Sequence, residues 1–357
     1  MQSLPVELVI HIFSFLSIRH AFQLMRTSRK LEEAARSVIR RQRRLALGRD
    51  PESGVTGNRN DSCLISPPDI LPWCKREHDH AFLNSLKQMT NLRILRVQDC
   101  DDRFDLQPIA DALIAQNRGS LEQVCLDFDF SFPGCNGTHS FPRLKKLFCW
   151  RLADEEVISS CPALMVACCF DMSTRAMQQL IPASCSTLKT GRPDNDALTV
   201  ISRLSNLTIL HLELDNPFIH NCSMFETMSH LQEIKLMIHF EGNLDHLIVS
   251  LCNKNPDLRI IKLCLQQGEI GNDSLKAMAG LRHLNKVQLD LKTSNITTTG
   301  LVNFLRGRSR HTLRNLKICI WTTTAVPAQS YVDRSLISHE VLAINKETGR
   351  KIPLRFG

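Results

Sequence analysis

Among the metal-ligating residue types of this chain, Cys63, Cys74, His78 and His80 could be drawn as a zinc site. Their spacing, Cys-x3-His-x-His after an isolated cysteine, matches none of the usual zinc patterns, so no metal is expected there. The chain also lacks a glycine-rich phosphate loop, an HExxH pair, a nucleophile elbow and a carboxylate pair in a recognisable frame. Catalysis is therefore not expected, and no cofactor is called for. The side chains that remain are ones that bind: large apolar groups at Phe148, Trp150, Val166 and Phe170, and a series of basic groups at His211, Lys235, Lys262, Lys286 and Lys317. Whether they meet depends on the elements that carry them.

The first such element is an N-terminal helix. From Pro5 to Leu16 the sequence reads PVELVIHIFSFL, with only Glu7, His11 and Ser14 polar. Those three fall at i, i+4 and i+7 and form one narrow stripe, so most of the circumference is apolar. Proline at the first helical position costs nothing, because its missing N–H would be unpaired there anyway. A short segment has little chain with which to cover so wide an apolar surface, and a partner protein is the simplest cover.

The order Leu4-Pro5-x-Glu7-Leu8-Val9-x-x-Ile12-Phe13-Ser14-Phe15-Leu16, followed by Leu24 and Ser28-Arg29, strongly resembles the F-box. That resemblance implies a three-helix unit whose apolar face inserts into a Skp-family adaptor and through it reaches a cullin. It also implies docking through Leu4, Pro5, Leu8, Ile12, Phe13 and Leu16, with Glu7 and Leu24 as supports. The chain departs from the family where it has His20-Ala21 for an acidic residue and Leu, Thr27 for Val, and Leu31 for Trp.

A formal charge of +8 suggests nucleic acid until it is placed. Ten Lys/Arg against three Glu put +7 within residues 1–49, leaving the remaining residues nearly neutral. The cluster Arg40-Arg41-Gln42-Arg43-Arg44 could contact an acidic partner, serve as a nuclear address or solvate a helix end before Gly48. Without interleaved aromatics or a basic face on the larger part of the chain, nucleic-acid binding is not expected. No stretch approaches the roughly 20 apolar residues of a membrane span, and the start lacks a secretory layout, so a cytoplasmic or nuclear protein is expected. The fourteen cysteines are scattered with no CxxC pair, which points to reduced thiols, several of them core fillers.

Residues 49–72 are polar and broken by Asp50-Pro51, Ser53-Gly54, Gly57-Asn58 and Pro67-Pro68, the composition of a linker. Beyond it a phrase recurs in which Leu, an apolar residue three later and another two after that mark a short strand. Its copies start at Leu92, Leu121, Leu144, Leu164, Leu188, Leu207, Leu231, Leu258, Leu284 and Leu313, at intervals of 19 to 29 residues. Leu92-Arg-Ile-Leu95-Arg-Val97-Gln-Asp-Cys100 is the clearest. Helical segments fall between strands, at Leu106–Asn117, Leu244–Cys252, Ser274–Ala279 and Gly300–Arg306. These copies resemble leucine-rich repeats, which implies an α/β fold, a curved solenoid with parallel strands on its concave side and helices outside. The domain expectation is an F-box helical domain at 1–48, a linker at 49–80, a leucine-rich-repeat domain at 81–321 and a C-terminal cap or tail at 322–357.

In such a repeat the third, fifth and seventh residues of each phrase face outward. Copies three and four then expose Lys146, Phe148, Trp150, Val166, Cys168 and Phe170, while Asp127 and Asp129 add acid in copy two. The fifth positions of later copies bring His211, Lys235, Lys262 and Lys317 into a basic ladder suited to an acidic or phosphorylated segment. A covered aromatic patch and an ordinary solvated face are the alternatives. The resemblances together imply the substrate-recognition subunit of a cullin-RING ubiquitin ligase, with Phe148, Trp150, Val166, Phe170, Lys235, Lys262 and Lys317 as substrate-binding candidates. The alternative is a leucine-rich scaffold or inhibitor that acts by occupying a partner.

Overall fold

Side chains alternate across a strand, so a strand can bury one face, and in this chain burial alternates over six positions at Glu233–Ile238, Ile260–Leu265 and Lys286–Leu291. The computed structural model describes residues 5, 8–9, 31, 33–37, 43–47, 86–87, 89–97, 107–126, 128–129, 141–152, 155–181, 184–215, 225, 227–291, 295–309, 315–320, 338–343 and 346. They fall into two units, Met1–Leu164 and Met165–Gly357.

In the first unit, parallel strands β1 (Arg44–Leu47), β2 (Ile94–Val97), β3 (Gln123–Leu126) and β4 (Lys146–Arg151) pair in chain order. Helix α1 (Gln107–Asn117) connects β2 to β3 and buries Ile109, Ala110, Leu113 and Ile114. Strand β1 corrects one expectation. Arg44 opens a strand and does not close a helix, with Leu45 buried and Arg44 opposite Ile94. Four residues at the end of an arginine run carry too little pattern to announce a strand, and pairing with β2 decides it.

The second unit holds β5 (Val166–Asp171), α2 (Thr174–Gln178), β6 (Thr187–Thr190), α3 (Asn195–Ile201), β7 (Ile209–Leu214), β8 (Glu233–Ile238), β9 (Gly242–Asn243), α4 (Asp245–Lys254), β10 (Ile260–Leu265), β11 (Gly268–Glu269), α5 (Asn272–Gly280), β12 (Lys286–Leu291), α6 (Thr298–Ser309) and β13 (Asn315–Ile320). Its sheet runs β5-β6-β7-β8-β10-β12-β13, every pair parallel, while β9 and β11 form a two-residue pair of their own. Helix α2 packs on α3, α4 on α5 and α5 on α6, so helices stack in the same order as strands. This is a mixed α/β architecture of parallel strands and helical crossovers in chain order, the arrangement expected of stacked repeats. No helix among the described residues is long and apolar enough to cross a membrane.

The leucines that open the phrases are the inner wall. Leu92, Leu121, Leu144, Leu231, Leu258 and Leu284 have no exposed surface, and Leu164 and Leu207 have almost none. Copy five is the exception, since Val166 faces Thr187 and Thr187 faces Ile209, which makes fully buried Cys185 the opening residue and Leu188 the next inward one. Burial pushes the Cys185 thiol up to about 11 and that of Cys252 up to about 12, so both remain neutral fillers.

Two buried asparagines, Asn117 and Asn255, each tie one turn to the turn before it. The Asn117 amide oxygen accepts the Leu92 N–H at 2.9 Å, while its nitrogen donates to the carbonyls of Met89 and Leu113. Asn255 repeats the device, accepting the Leu231 N–H at 2.9 Å and donating to the Leu251 carbonyl at 3.1 Å. At the other end of the helices, Asp194 caps α3 and accepts the Thr174 hydroxyl, and Asp245 accepts the N–H groups of Gly271 and Ser274. Past the last strand, residues 338–343 are helical, Val341 is buried, and the Arg306 guanidinium of α6 forms a fork on both Glu340 carboxylate oxygens.

Candidate functional site

Because side chains alternate across a strand, the in-register pairing of β5 to β13 sorts the outward residues into rows. One row runs Cys168, Lys189, His211, Lys235, Lys262, Gln288 and Lys317, each opposite the next on the neighbouring strand. The row toward the strand starts carries Val166, Thr187, Ile209, Glu233, Ile260 and Lys286. The row toward the strand ends carries Glu213, Met237, Cys264 and Asp290. His211, Lys235 and Lys262 thus stand together, and Lys317 occupies the same row beyond Gln288. Lys286 stands one row away.

The charge of this row is smaller than the residue types suggest. His211 is 8% exposed, and burial pushes its pKa down; the hydrogen bond to Glu233 opposes that shift, and the nearby Lys189 and Lys262 ammonium groups add to it. The imidazole is accordingly neutral near pH 7, and its Nε2–H donates to Glu233 Oε1 at 3.0 Å. Lys262 Nζ donates to the same oxygen at 3.0 Å. Glu233 is held at about 2, first by the His211 hydrogen bond and then by Lys262, against the opposing effect of burial. Together the His211, Glu233 and Lys262 side chains sum to zero charge.

Lys189 is a member of this row that the phrase pattern missed. Counting copy five from Leu188 sends its outward positions to 190 and 192, whereas the pairing places them at Thr187 and Lys189. The signal was present in the period: the midpoint between Leu164 and Leu207 falls at Cys185, a small apolar residue able to stand for leucine.

A second cluster, also unread from sequence, lies at the carboxyl ends of β6 to β8. Arg192 Nε sits 2.8 Å from Asp215 Oδ2 and 3.7 Å from Glu213 Oε1, and His239 Nε2 lies 3.1 Å from Glu213 Oε1. One donor atom each from Glu213, Asp215 and His239 falls within 4.8 Å of the others, a set that could hold a metal ion. The Arg192 guanidinium already answers both carboxylates.

The aromatic candidates divide between the units. In the first, Phe148 is half-buried and Trp150 is 52% exposed at the end of β4, its backbone N–H donating to the Phe128 carbonyl. In the second, Val166 is half-buried, and Phe170 is exposed with its carbonyl accepting the Gly191 N–H at 2.7 Å. Asp129 is exposed. Cys63, Cys74, His78, His80 and Asp127 lie outside the described residues, as do Leu4, Glu7, Ile12, Phe13, Leu16 and Leu24. Of the N-terminal candidates, Pro5 is exposed and its carbonyl accepts the Val9 N–H at 3.2 Å, a helical first turn. Val9 is buried, whereas the adjacent Leu8 is 50% exposed. Leu31 is helical and half-buried.

Residues 1–44 match the F-box-like family. No curated protein matches the chain. An F-box-like domain therefore occupies the N-terminal segment, and the outward Leu8 lies within it.

Proposed function

We propose that this chain is a substrate-recognition subunit of an SCF-type cullin-RING ubiquitin ligase, in which residues 1–48 dock on a Skp-family adaptor and a repeat domain at 81–321 holds a protein target. The observation that carries the reading is the F-box-like domain at residues 1–44. Domains of that family typically bind the Skp adaptor and so join a cullin complex. Leu8 supports it physically, because a half-exposed leucine beside a buried valine on a first-turn helix gains most by insertion into another protein's groove. Docking would run through Leu4, Pro5, Leu8, Ile12, Phe13 and Leu16, with Glu7 and Leu24 behind them.

Parallel strands in chain order, inward leucines and stacked helices support reading the larger part as leucine-rich repeats, closed by residues 322–357. Such a subunit carries no chemistry of its own. It raises the effective concentration of a target's lysines beside a thioester held by other subunits, and that proximity is the whole of its contribution. Ubiquitination would then commit the target to the proteasome. Phe148, Trp150, Val166 and Phe170 and the lysine row are the candidate target contacts.

Co-expression with a Skp-type adaptor tests the reading. The wild-type chain is expected to co-purify as a stable 1:1 complex, and Leu8→Lys with Ile12→Lys is expected to abolish the complex while circular dichroism shows the repeat part folded. Adaptor binding that survives the double substitution overturns the docking face. A wild-type chain that never binds the adaptor leaves a scaffold or inhibitor that acts by occupying its partner.

A further inference from the structure

We infer that the outward face of β1 to β4 receives an acidic protein segment, whose carboxylates meet Arg44, Arg96 and Lys146. The inference deepens the proposal that the chain holds a protein target, and rests on it. Its starting point is the register of the first unit, which sets Arg44 opposite Ile94, Ile94 opposite Gln123 and Gln123 opposite Lys146. The next row sets Arg96 opposite Cys125 and Cys125 opposite Phe148. Leu45, Leu95, Val124 and Leu147 alternate with these positions along their strands and are buried, so both rows face outward. Arg44 and Lys146 are exposed and Arg96 is half-buried. The arginine run that the linear chain left between a solvated helix end and a partner contact thus ends on a strand, with Arg44 on the same face as Arg96 and Lys146.

Neither row contains a carboxylate, and among the described residues Arg44, Arg96 and Lys146 have no ion-pair partner. Glu122, just before β3, is already answered by Arg93 at 3.5 Å, and the exposed Asp129 lies past the end of β3. Arg96 carries the cost of this arrangement, since its Nε is shut off from solvent and has no hydrogen-bond partner. A half-buried guanidinium without a counter-charge gains most from a carboxylate that arrives on a partner. The outward rows of the second unit differ, because Glu213, Glu233 and Asp290 stand in them and Glu233 holds Lys262. An acidic segment meets cations alone in the two rows of the first unit and meets carboxylates in those of the second, and like charges in juxtaposition exclude the wrong site. Strands about 4.8 Å apart and a rise of about 3.3 Å per residue put Arg44 about 8 Å from Arg96 and about 14 Å from Lys146, with about 12 Å between Arg96 and Lys146. Cations spread over that triangle suit several carboxylates along one segment better than a single phosphate, which the two guanidinium groups alone would fork.

Fluorescence polarisation on the full chain without adaptor tests this. The probes are a labelled Glu-Ser repeat peptide, a Gln-Ser repeat of the same length, a Gln-Ser repeat bearing one phosphoserine, and a single-stranded DNA of the same total charge as the first. The expected result is binding of the Glu-Ser peptide at least about tenfold tighter than of the Gln-Ser peptide and tighter than of the other two, weakening with added salt. Arg44→Gln, Arg96→Gln and Lys146→Gln together should lower that affinity by about tenfold or more, while Lys286→Gln, in the second unit, leaves it unchanged. An Arg44→Glu, Lys146→Glu chain, which keeps the half-buried Arg96, should instead take up a Lys-Ser peptide, and this holds the test open if the triple variant fails to fold. Equal affinity for the Glu-Ser and Gln-Ser peptides, preference for the phosphoserine peptide or for the DNA, or indifference to the substitutions overturns the inference. Because adaptor capture is measured separately, peptide failure with adaptor binding intact removes this face alone, and the reverse removes the ligase reading alone.

Discussion

Replacing Asn255 by alanine removes the amide that joins the last residue after α4 to the opening of the preceding phrase. The side chain has no exposed surface, accepts the Leu231 N–H at 2.9 Å and donates to the Leu251 carbonyl at 3.1 Å. Alanine orphans the Leu231 N–H beside fully buried Leu231, which costs about 1–3 kcal/mol. The Leu251 carbonyl keeps the backbone N–H of residue 255 at 3.1 Å, so its lost bond adds little. The void left by the amide adds on the order of 1 kcal/mol. Together these come to about 2–4 kcal/mol, which in a unit of this size lowers the midpoint of thermal unfolding by roughly 5–15 °C. Asn255→Asp sharpens the test, since it keeps an acceptor for Leu231 but sets a carboxylate oxygen against the Leu251 carbonyl. It should be at least as destabilised as alanine. Thermal melts of the full chain by circular dichroism, together with hydrogen exchange at the Leu231 amide, read both effects. An alanine variant within about 0.5 kcal/mol of wild type, or an Asp variant equal to wild type, would refute the view that this amide clamps one turn to the next.

Two further outcomes follow from the same unit. Glu233, held at about 2 against an ordinary 4.5, contributes stability that is present above pH 4.5 and lost as the pH falls from there through 2, because the unfolded chain binds the proton first. His211, pushed down from 6.5, acts in the same direction and begins earlier, as the pH drops below 6.5. Glu233→Gln should therefore be less stable than wild type at pH 7 by about 1–2 kcal/mol after solvent screening, with the gap closing toward pH 2; urea titrations at several pH values check this, and a gap independent of pH defeats it. At Gly191 an added Cβ would lie 2.7 Å from the Phe170 carbonyl oxygen, a backbone atom that cannot step aside. Gly191→Ala should cost about 1–3 kcal/mol of stability, read as a lowered urea midpoint, and an unchanged midpoint would show that β5 and β6 are not so closely held.

Much of the architecture was legible before any fold was known, because burial imposes period. Leu92, Leu121, Leu144, Leu207, Leu231, Leu258 and Leu284 open strands where their spacing said they would, and the helices Gln107–Asn117, Asp245–Lys254, Asn272–Gly280 and Thr298–Ser309 fall on the segments read at Leu106–Asn117, Leu244–Cys252, Ser274–Ala279 and Gly300–Arg306. The short helices α2 and α3 were not read, being one or two turns with few apolar repeats. Strand β1 escaped for the same want of length. Pro5 and Leu8 were readable as a helix start and an outward apolar residue, since a single helical turn places both.

The outward row across β5 to β13 was only half legible. Composition and position put His211, Lys235 and Lys262 on one outward line, a consequence of the two-residue alternation that any strand obeys. The chain order of residues does not carry lateral register, which each strand takes from its neighbour's hydrogen bonds, so Lys189 entered the row only when Thr187 was found opposite Ile209. Charge behaved likewise. Counting lysines and histidine predicts a uniformly basic ladder, yet Glu233, one strand and one row away, reaches both His211 and Lys262 and cancels their share. Local sequence settled which side chains face outward, because sterics act between adjacent residues. Which of them meet, and with what net charge, was decided by stacking of turns 22 to 29 residues apart, since electrostatic and hydrogen-bond energies depend on distance in space rather than along the chain.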